Sequence, residues 1–279
     1  MGGKDMSGRP GLACCGIGAL NRSGLLLMSL LALLLGGCRE DVPQTELDRF
    51  VAEHRELPPA AYEDSLRSII ARGTSQTVFA HYELGNLFYQ AAGETIQVRG
   101  WQDGAAPALL DTAIMHFESA VTLDTTFVQA YVNLGSVWDD LADQTSMANL
   151  EERRLREERL SNAEKMYNRA LTFAPYDEKA LCNLGALNMK RQKTSEAVAY
   201  FQRALAVNPH SALAHYNLAI AFAEAKIYRE AIREWEAAID ADPDGDIGER
   251  SRANIEIVKD LLEQKVPDKV GGGKSAASQ

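Results

Sequence analysis

Three prolines in the second half of the chain stand 34 residues apart, at Pro175, Pro209 and Pro243. The two intervals that they bound also share an alanine, an aromatic residue and a second alanine at matching positions: Ala197, Phe201 and Ala204, then Ala231, Trp235 and Ala238. A unit of this length cannot bury its apolar face alone, so a self-repeat of this kind requires units that stack on one another. The repeat therefore restricts the fold more than any other feature of the sequence.

Each copy contains two helical halves. The first half places a small residue after a leucine, Gly185 or Ala219, and the second half ends at a proline, which cannot continue a helix. A small residue lets two helices pack about 8–10 Å apart. This pattern of helix, turn and helix resembles the tetratricopeptide repeat family.

Two earlier copies precede these, with a longer period. Gly85, Gly135 and Gly185 are 50 residues apart, so each early copy has 16 extra residues between its helices. Residues 93–107 contain three glycines and a proline, which predicts a loop for much of this first insertion. Residues 145–162 contain neither residue type, which predicts that the second insertion lengthens the second helix as a solvated arm.

The fold predicted from the repeats and their resemblance is all-α: a right-handed solenoid of about four helix pairs in residues 77–245. Helices in residues 45–76 and 246–265 are predicted to cap its two ends, because a stacked array otherwise leaves an apolar face uncovered. Capping boxes at Thr45 with Asp48, and at Asp246 with Glu249, predict where two of these helices begin. Residues 266–279 are predicted to be a disordered tail.

The N-terminus has the three regions of an export signal. Basic residues precede an apolar run over residues 25–35, which is too short to span a bilayer. The sequence Leu-Gly-Gly-Cys that ends at Cys38 resembles a bacterial lipobox. The resemblance implies a signal peptide at residues 1–37, lipid on Cys38 and a tether at residues 38–44. An uncleaved anchor, or an ordinary signal with a chance cysteine, is the alternative.

In lipoproteins of two-membrane bacteria, the residue after the lipidated cysteine influences sorting. Arg39 is not the aspartate that retains such proteins at the inner membrane, so the resemblance favours the outer membrane. The resemblance does not say which face of that membrane the protein occupies, and the periplasmic face is the one expected. The net charge of −10 becomes −12 once the three basic residues and one acidic residue of the signal are removed. Such an acidic surface disfavours nucleic acid and anionic lipid as partners. The covalent lipid is then the expected membrane attachment.

No motif in the sequence predicts catalysis, a cofactor or a metal site. The histidines are scattered, with His81 and His215 at equivalent repeat positions where packing is expected. The acidic pair Asp139 and Asp140 is expected on a solvated face. Cys182, the cysteine that remains in the chain after processing, is expected to be a small semi-buried packing residue.

Asparagine recurs two residues before the small residue, at Asn133, Asn183 and Asn217. In the family that the repeats resemble, first helices line a concave groove that binds peptides, and in one member asparagines at this position bind the peptide backbone. The first copy departs from this pattern with Glu83. The alternative is that these asparagines bond within the repeat. Further residues expected on the same surface are Tyr82, Asn86, Tyr89, Ser136 and Tyr216.

Trp101, in the first insertion, is either a core residue or an interface anchor.

The function predicted from all these features is a membrane-anchored scaffold that docks other envelope proteins in its concave groove, without enzymatic activity. The pathways that this resemblance covers are pilus assembly, secretion, polysaccharide export and outer-membrane biogenesis. The alternative is a holdase, or a solute- or lipid-binding component of a transporter, which requires an enclosed apolar pocket. The oligomeric state is left open.

Overall fold

The computed structural model describes residues 45–54, 56–101 and 104–264, and the regular elements in these ranges are helices. We number them in chain order: α1 (Glu46–His54), α2 (Pro59–Arg72), α3 (Thr77–Arg99), α4 (Ala105–Leu123), α5 (Val128–Asp143), α6 (Leu150–Phe173), α7 (Glu178–Lys190), α8 (Thr194–Val207), α9 (Ala212–Glu224), α10 (Tyr228–Ala241) and α11 (Asp246–Gln264). The described chain divides into two compact units, residues 45–187 and residues 188–264. The prediction of an all-helical fold is confirmed.

The first two helices pack onto the first repeat. The capping box of α1 forms as predicted, since the Asp48 amide donates to Thr45 Oγ1 at 3.1 Å and the Thr45 amide donates to Asp48 Oδ2 at 3.0 Å. Helix α2 ends at Gly73 in the left-handed conformation. A buried cluster then joins both helices to α3, and it contains Phe50, Leu66, Ile69, Ala80 and Leu84.

Glycine sets the spacing within the first two helix pairs. A Cβ atom at Gly85 would lie 2.6 Å from the Phe117 ring of α4, and one at Gly135 would lie 2.5 Å from the Tyr167 ring of α6. Both rings are fully buried. The prediction that small residues occupy the points of closest helix approach is confirmed for these two pairs.

The prediction of a loop for much of the first insertion is wrong, because residues 93–99 and 105–107 are helical. Helix α3 continues through Gly93 to Arg99, so the insertion lengthens the first helix. Glycine within an exposed helix costs only about 1 kcal/mol relative to alanine, and the space around Gly93 is open. The chain turns later, at Gly100 and Gly104, where φ is +74° and +75°.

The second insertion extends the second helix, as predicted. Helix α6 has 24 residues, and most of its first turns are exposed. Its start is fixed by a capping box that sequence reasoning missed: the Glu152 amide donates to Asn149 Oδ1 at 2.9 Å, and the Asn149 amide donates to Glu152 Oε2 at 3.4 Å. The asparagine and glutamate three residues apart were the available signal.

The unit of residues 188–264 is closed by α11. Ile255 and Val258 of this helix join a buried cluster with Trp235 of α10 and Ala219 of α9. No helix in the described ranges is sufficiently long and apolar to cross a membrane. The predicted signal peptide, the tether with Cys38 and the C-terminal tail lie outside the described residues.

The predicted capping box of Asp246 and Glu249 is wrong. Asp246 is the first residue of α11, and the carboxylate that accepts from the helix start belongs to Asp242. The amides of Ile247 and Gly248 donate to Asp242 Oδ2 at 3.1 and 3.4 Å. A Cβ atom on Gly248 would collide with the backbone oxygen of Asp242, so the glycine permits this close turn.

Candidate functional site

A chain of hydrogen bonds joins polar side chains of α2, α3 and α5. Tyr62 donates to Glu83 Oε2 at 2.8 Å, and Asn86 Nδ2 donates to Glu83 Oε1 at 3.1 Å. Asn133 Nδ2 then donates to Asn86 Oδ1 at 2.8 Å and to the Tyr82 hydroxyl at 3.2 Å. These five side chains are half-buried, so they form one connected polar surface, which we call the α3–α5 polar network.

The carboxylate at one end of the network fixes the orientation of both amides. An ionised Glu83 only accepts, so Asn86 must turn its nitrogen to Glu83 and its oxygen to Asn133. Asn133 then donates from its own nitrogen, and within the described part of the chain Asn133 Oδ1 has no hydrogen-bond partner. The result is a half-buried carbonyl oxygen in a set orientation, with the geometry to accept from an external N–H group.

Burial raises the pKa values of the ionisable side chains in this network. Desolvation raises the pKa of Glu83, and the hydrogen bonds from Tyr62 and Asn86 oppose that shift. Desolvation also raises the pKa of Tyr82. The pKa of Tyr62 rises for the same reason, with the nearby Glu83 charge as a second cause. Both phenols are therefore neutral hydrogen-bonding groups at neutral pH.

The residues predicted from the sequence to form the binding surface fall into two groups, half-buried and buried. Tyr82, Asn86, Asn133 and Trp101 are half-buried, and the first three meet in the α3–α5 polar network. The other five predicted residues have at most 6% of their surface exposed: Tyr89, Ser136, Asn183, Tyr216 and Asn217.

Asn183 illustrates the buried group. Its Nδ2 donates to Ser136 Oγ at 3.3 Å, and Ser136 Oγ donates in turn to the Val132 carbonyl at 3.2 Å. Asn183 has 0% of its surface exposed, so a peptide lying on the surface has no access to its amide. For Asn183, the burial therefore favours the alternative that the asparagine forms its hydrogen bonds within the repeat array. Asn217, in the other unit, is also 0% exposed.

Two further predicted positions have neighbours that explain their placement. In the unit of residues 188–264, the Tyr216 hydroxyl accepts from Asn254 Nδ2 of α11 at 3.3 Å. In the other unit, Trp101 packs against the cluster that contains Tyr89 and Leu110. Its side chain therefore contributes to the core between α3 and α4, while part of it stays exposed.

The expectation that Asp139 and Asp140 lie on a solvated face is wrong. Asp139 is 0% exposed, and Asp140 Oδ2 accepts from the Tyr89 hydroxyl at 2.5 Å. The sequence does not reveal that Asp140 contacts the Tyr89 hydroxyl, because the two residues are 51 positions apart in the chain. Tyr62 was missed for the same reason, since its partner Glu83 belongs to another helix.

The histidines pack, as expected from their positions. His81 Nδ1 and His116 Nδ1 are 3.0 Å apart, and the ring of Phe88 stacks on His116 with centroids 5.7 Å apart. His215 Nδ1 lies 2.7 Å from Glu234 Oε2. Cys182 is completely buried, which is deeper than the expected semi-buried position. Within the described ranges, no group of three or more His, Cys, Asp or Glu side chains has the geometry to hold a metal ion.

The first two helix pairs thus share one arrangement, in which a glycine of the first helix faces a buried ring of the second. Residues 182–246 match the model of the tetratricopeptide repeat family. This range covers the third and fourth repeats, in which the period is 34 residues. A comparison with curated protein sequences finds no match.

A comparison with solved structures finds several that match this chain. The thermophilic TPR protein TTC0263 of Thermus thermophilus has a TM-score of 0.53 at 16% identity, with 77% of this chain and 95% of that chain covered. A monomeric mutant of IFIT1, solved with Gppp-AAAA, has a TM-score of 0.58 at 18% identity, and the match covers 74% of this chain and 44% of that chain. A structure of MamA also matches, with a TM-score of 0.46, 17% identity and coverage of 72% and 97%.

These comparisons establish the fold and support a role in binding other proteins. The tetratricopeptide repeat is generally a non-catalytic scaffold that presents helix surfaces to protein partners. The amides and phenols of the α3–α5 polar network are groups that pair with either donors or acceptors.

Proposed function

We propose that this protein is a membrane-anchored scaffold of the bacterial envelope that docks a segment of a partner protein on the first helices of its tetratricopeptide repeats. The observation that carries the proposal is the orientation of the Asn133 amide, whose nitrogen is held by Tyr82 and Asn86 while its oxygen faces no partner among the described residues. A peptide backbone N–H is the matching donor. Because the backbone is the same in every sequence, this contact holds a segment without selecting its side chains.

The rest of the network supports this role by its rigidity. Asn86 and Glu83 are themselves bonded, so Asn133 does not have to be ordered when the partner arrives. A preorganised contact loses less conformational entropy on binding than a mobile one. Tyr82 and Asn86 lie on α3 and Asn133 lies on α5, so the contact surface spans two successive first helices.

The proposal places the protein at the outer membrane, facing the periplasm, through lipid on Cys38. Its support is the sequence: a basic stretch, a short apolar run and Leu-Gly-Gly-Cys in that order, with Arg39 next. Two or three acyl chains on one cysteine hold a protein at a bilayer, whereas a single chain binds only marginally. The acidic composition fits attachment by lipid rather than by a basic surface.

Replacing Asn133 by Ala tests the docking surface. We expect retention of the envelope partner by the tagged full chain to fall about two- to twelve-fold, because one hydrogen bond worth about 0.5–1.5 kcal/mol is lost. The thermal unfolding midpoint should fall only slightly, because Asn133 is half-buried and water can replace its hydrogen bonds to Tyr82 and Asn86. Asn168→Ala, on an exposed position of α6, is the matched control and should change neither quantity. Unchanged retention together with a large fall in the unfolding midpoint would assign Asn133 a purely internal role.

Metabolic labelling with a radioactive fatty acid tests the anchor. The parent chain should incorporate the label and sediment with membranes, and Cys38→Ala should do neither. Cys182→Ala is the control, because that thiol is buried in the folded protein. Labelling that persists in Cys38→Ala contradicts the lipid anchor and leaves the docking surface untouched.

A further inference from the structure

A groove on the second helices of the first two repeats carries a charge opposite to that of the whole chain. It has a volume of about 410 Å³ and lies between α4 and α6, with α5 beneath. Val121, Tyr131 and Met166 provide apolar surface, and Lys165 and Arg169 stand along one side. Neither α4 nor α6 contributes a side chain to the α3–α5 polar network, so this groove is a separate surface.

The two cations are available for an incoming ligand. Lys165 and Arg169 are four residues apart on α6, both are exposed, and neither makes an ion pair within the described part of the chain. Glu118 also lines the groove and leaves its formal charge at one positive unit, in a chain whose net charge is −10. The groove is therefore locally positive in a protein that is negatively charged overall.

Aromatic rings hold the arginine in place. The Arg169 guanidinium lies 5.3 Å from the centroid of the Phe173 ring, and the Tyr131 ring stacks on Phe173 with ring centroids 6.1 Å apart. Phe173 remains 37% exposed. A guanidinium that stacks on a ring by its face keeps its N–H groups directed outward at the edge, where they fit a carboxylate in a bidentate manner.

We propose that this groove docks an acidic segment of a partner protein. An apolar side chain of that segment contacts Val121 and Met166, and neighbouring carboxylates pair with Lys165 and Arg169. Charge complementarity favours this occupant, because two unpaired cations border an apolar floor. An anionic membrane extends beyond the groove and meets the rest of an acidic protein, whereas a short segment contacts the groove alone. The proposal adds a second, charge-selective contact to the sequence-independent contact of Asn133.

Fluorescence anisotropy with two labelled peptides tests this proposal on the full chain. One peptide has leucine and phenylalanine flanked by glutamates, and the other has lysines in place of the glutamates. We expect the acidic peptide to bind at least ten-fold more tightly than the basic one. Lys165→Glu with Arg169→Glu should weaken the acidic peptide about ten-fold or more, since two attractions become repulsions. Glu118→Lys should strengthen it about two- to five-fold.

The matched control is Lys193→Glu with Arg229→Glu, the same change of charge at two exposed positions of the other unit, which should alter the affinity less than two-fold. Equal affinity for the two peptides, or an unchanged affinity in the Lys165 and Arg169 variant, overturns the proposal. Two other outcomes also overturn the proposal. If the Lys165 and Arg169 variant alone abolishes a concentration-dependent dimer, the occupant of the groove is a second copy of the chain. If it alone abolishes binding to phosphatidylglycerol vesicles, the occupant is a lipid. Asn133→Ala should leave peptide affinity unchanged, which separates failure here from failure of the proposed function.

Discussion

At the scale of single residues, two glycines decide how closely the early helix pairs approach. Gly85 faces Phe117 and Gly135 faces Tyr167, each at a distance that leaves no room for a methyl group. Gly93 lies in the same kind of helix, but nothing stands within 4 Å of its missing Cβ. The same residue type is therefore required by packing at two positions and is merely tolerated at the third.

Alanine at these positions should have opposite effects on stability. Gly135→Ala forces the buried Tyr167 ring to move and should lower the free energy of unfolding by about 1–3 kcal/mol. Gly93→Ala should raise it by about 0.5–1 kcal/mol, because alanine favours an exposed helix. Urea unfolding followed by circular dichroism measures both, and equal effects of the two substitutions contradict the packing argument.

The histidine pair between α3 and α4 links stability to pH. Desolvation lowers the pKa of His116 to about 4, and the charges of His81 and Arg67 add to the shift while Glu63 opposes it. Desolvation lowers the pKa of His81 as well. The folded state thus holds both rings neutral at a pH where the unfolded chain binds protons. Their contribution to stability is present above the unfolded pKa of about 6.5 and is lost as the pH falls towards 4.

Replacing His116 by Gln should flatten this part of the stability profile. The parent protein should lose free energy of unfolding between pH 6.5 and 4, and the variant should lose less over the same interval. Thermal unfolding at a series of pH values measures the difference. His210→Gln, at an exposed position, is the control and should keep the slope of the parent. A His116→Gln profile parallel to that of the parent contradicts the assignment.

At the scale of helices, what the sequence predicts depends on whether the signal is local. The capping box at Thr45 and the second insertion, which lacks glycine and proline, are local signals, and each gave the correct element. The first insertion misled because glycine also occurs in exposed helices, where its cost is only about 1 kcal/mol. At α11 the cap comes from Asp242, which lies before Pro243, whereas the predicted capping box lies after that proline.

Asp242 should therefore stabilise the start of α11 by capping it. Replacing it by Ala removes the acceptor for the amides of Ile247 and Gly248 and should lower the free energy of unfolding by about 1 kcal/mol. Asp244→Ala removes an exposed carboxylate from the same turn and should cost far less. Denaturant unfolding of both variants measures the comparison, and equal losses would show that the capping contact contributes nothing.

The candidate site shows the same limit of sequence reasoning. The repeat position identified Asn133, and neighbouring positions identified Tyr82 and Asn86, because helix periodicity places them on one face. Periodicity alone did not distinguish Asn133, which is half-buried, from Asn183, which is completely buried. That difference depends on which helices pack above each residue. Tyr62 belongs to α2, outside the repeats, so no repeat position pointed to it.

At the scale of the whole molecule, the described residues form two compact helical units, and residues 45–187 contain both surfaces for which we propose partners. One is polar and is proposed to contact the backbone of its ligand, and the other is cationic and apolar. A scaffold with two such surfaces holds a partner by a general contact and selects it by charge. The account depends on the first of them, because the docking role rests on the α3–α5 polar network.

Photocrosslinking in the living bacterial cell tests that role most directly. A photoreactive amino acid at Gln90, an exposed residue one turn beyond Asn86 on α3, should give a discrete protein adduct, whereas the same group at Gln202, exposed on α8, should not give this adduct. Asn133→Ala in the Gln90 background should weaken the adduct. The absence of any protein adduct from Gln90, or an identical adduct from Gln202, would contradict docking on the first helices.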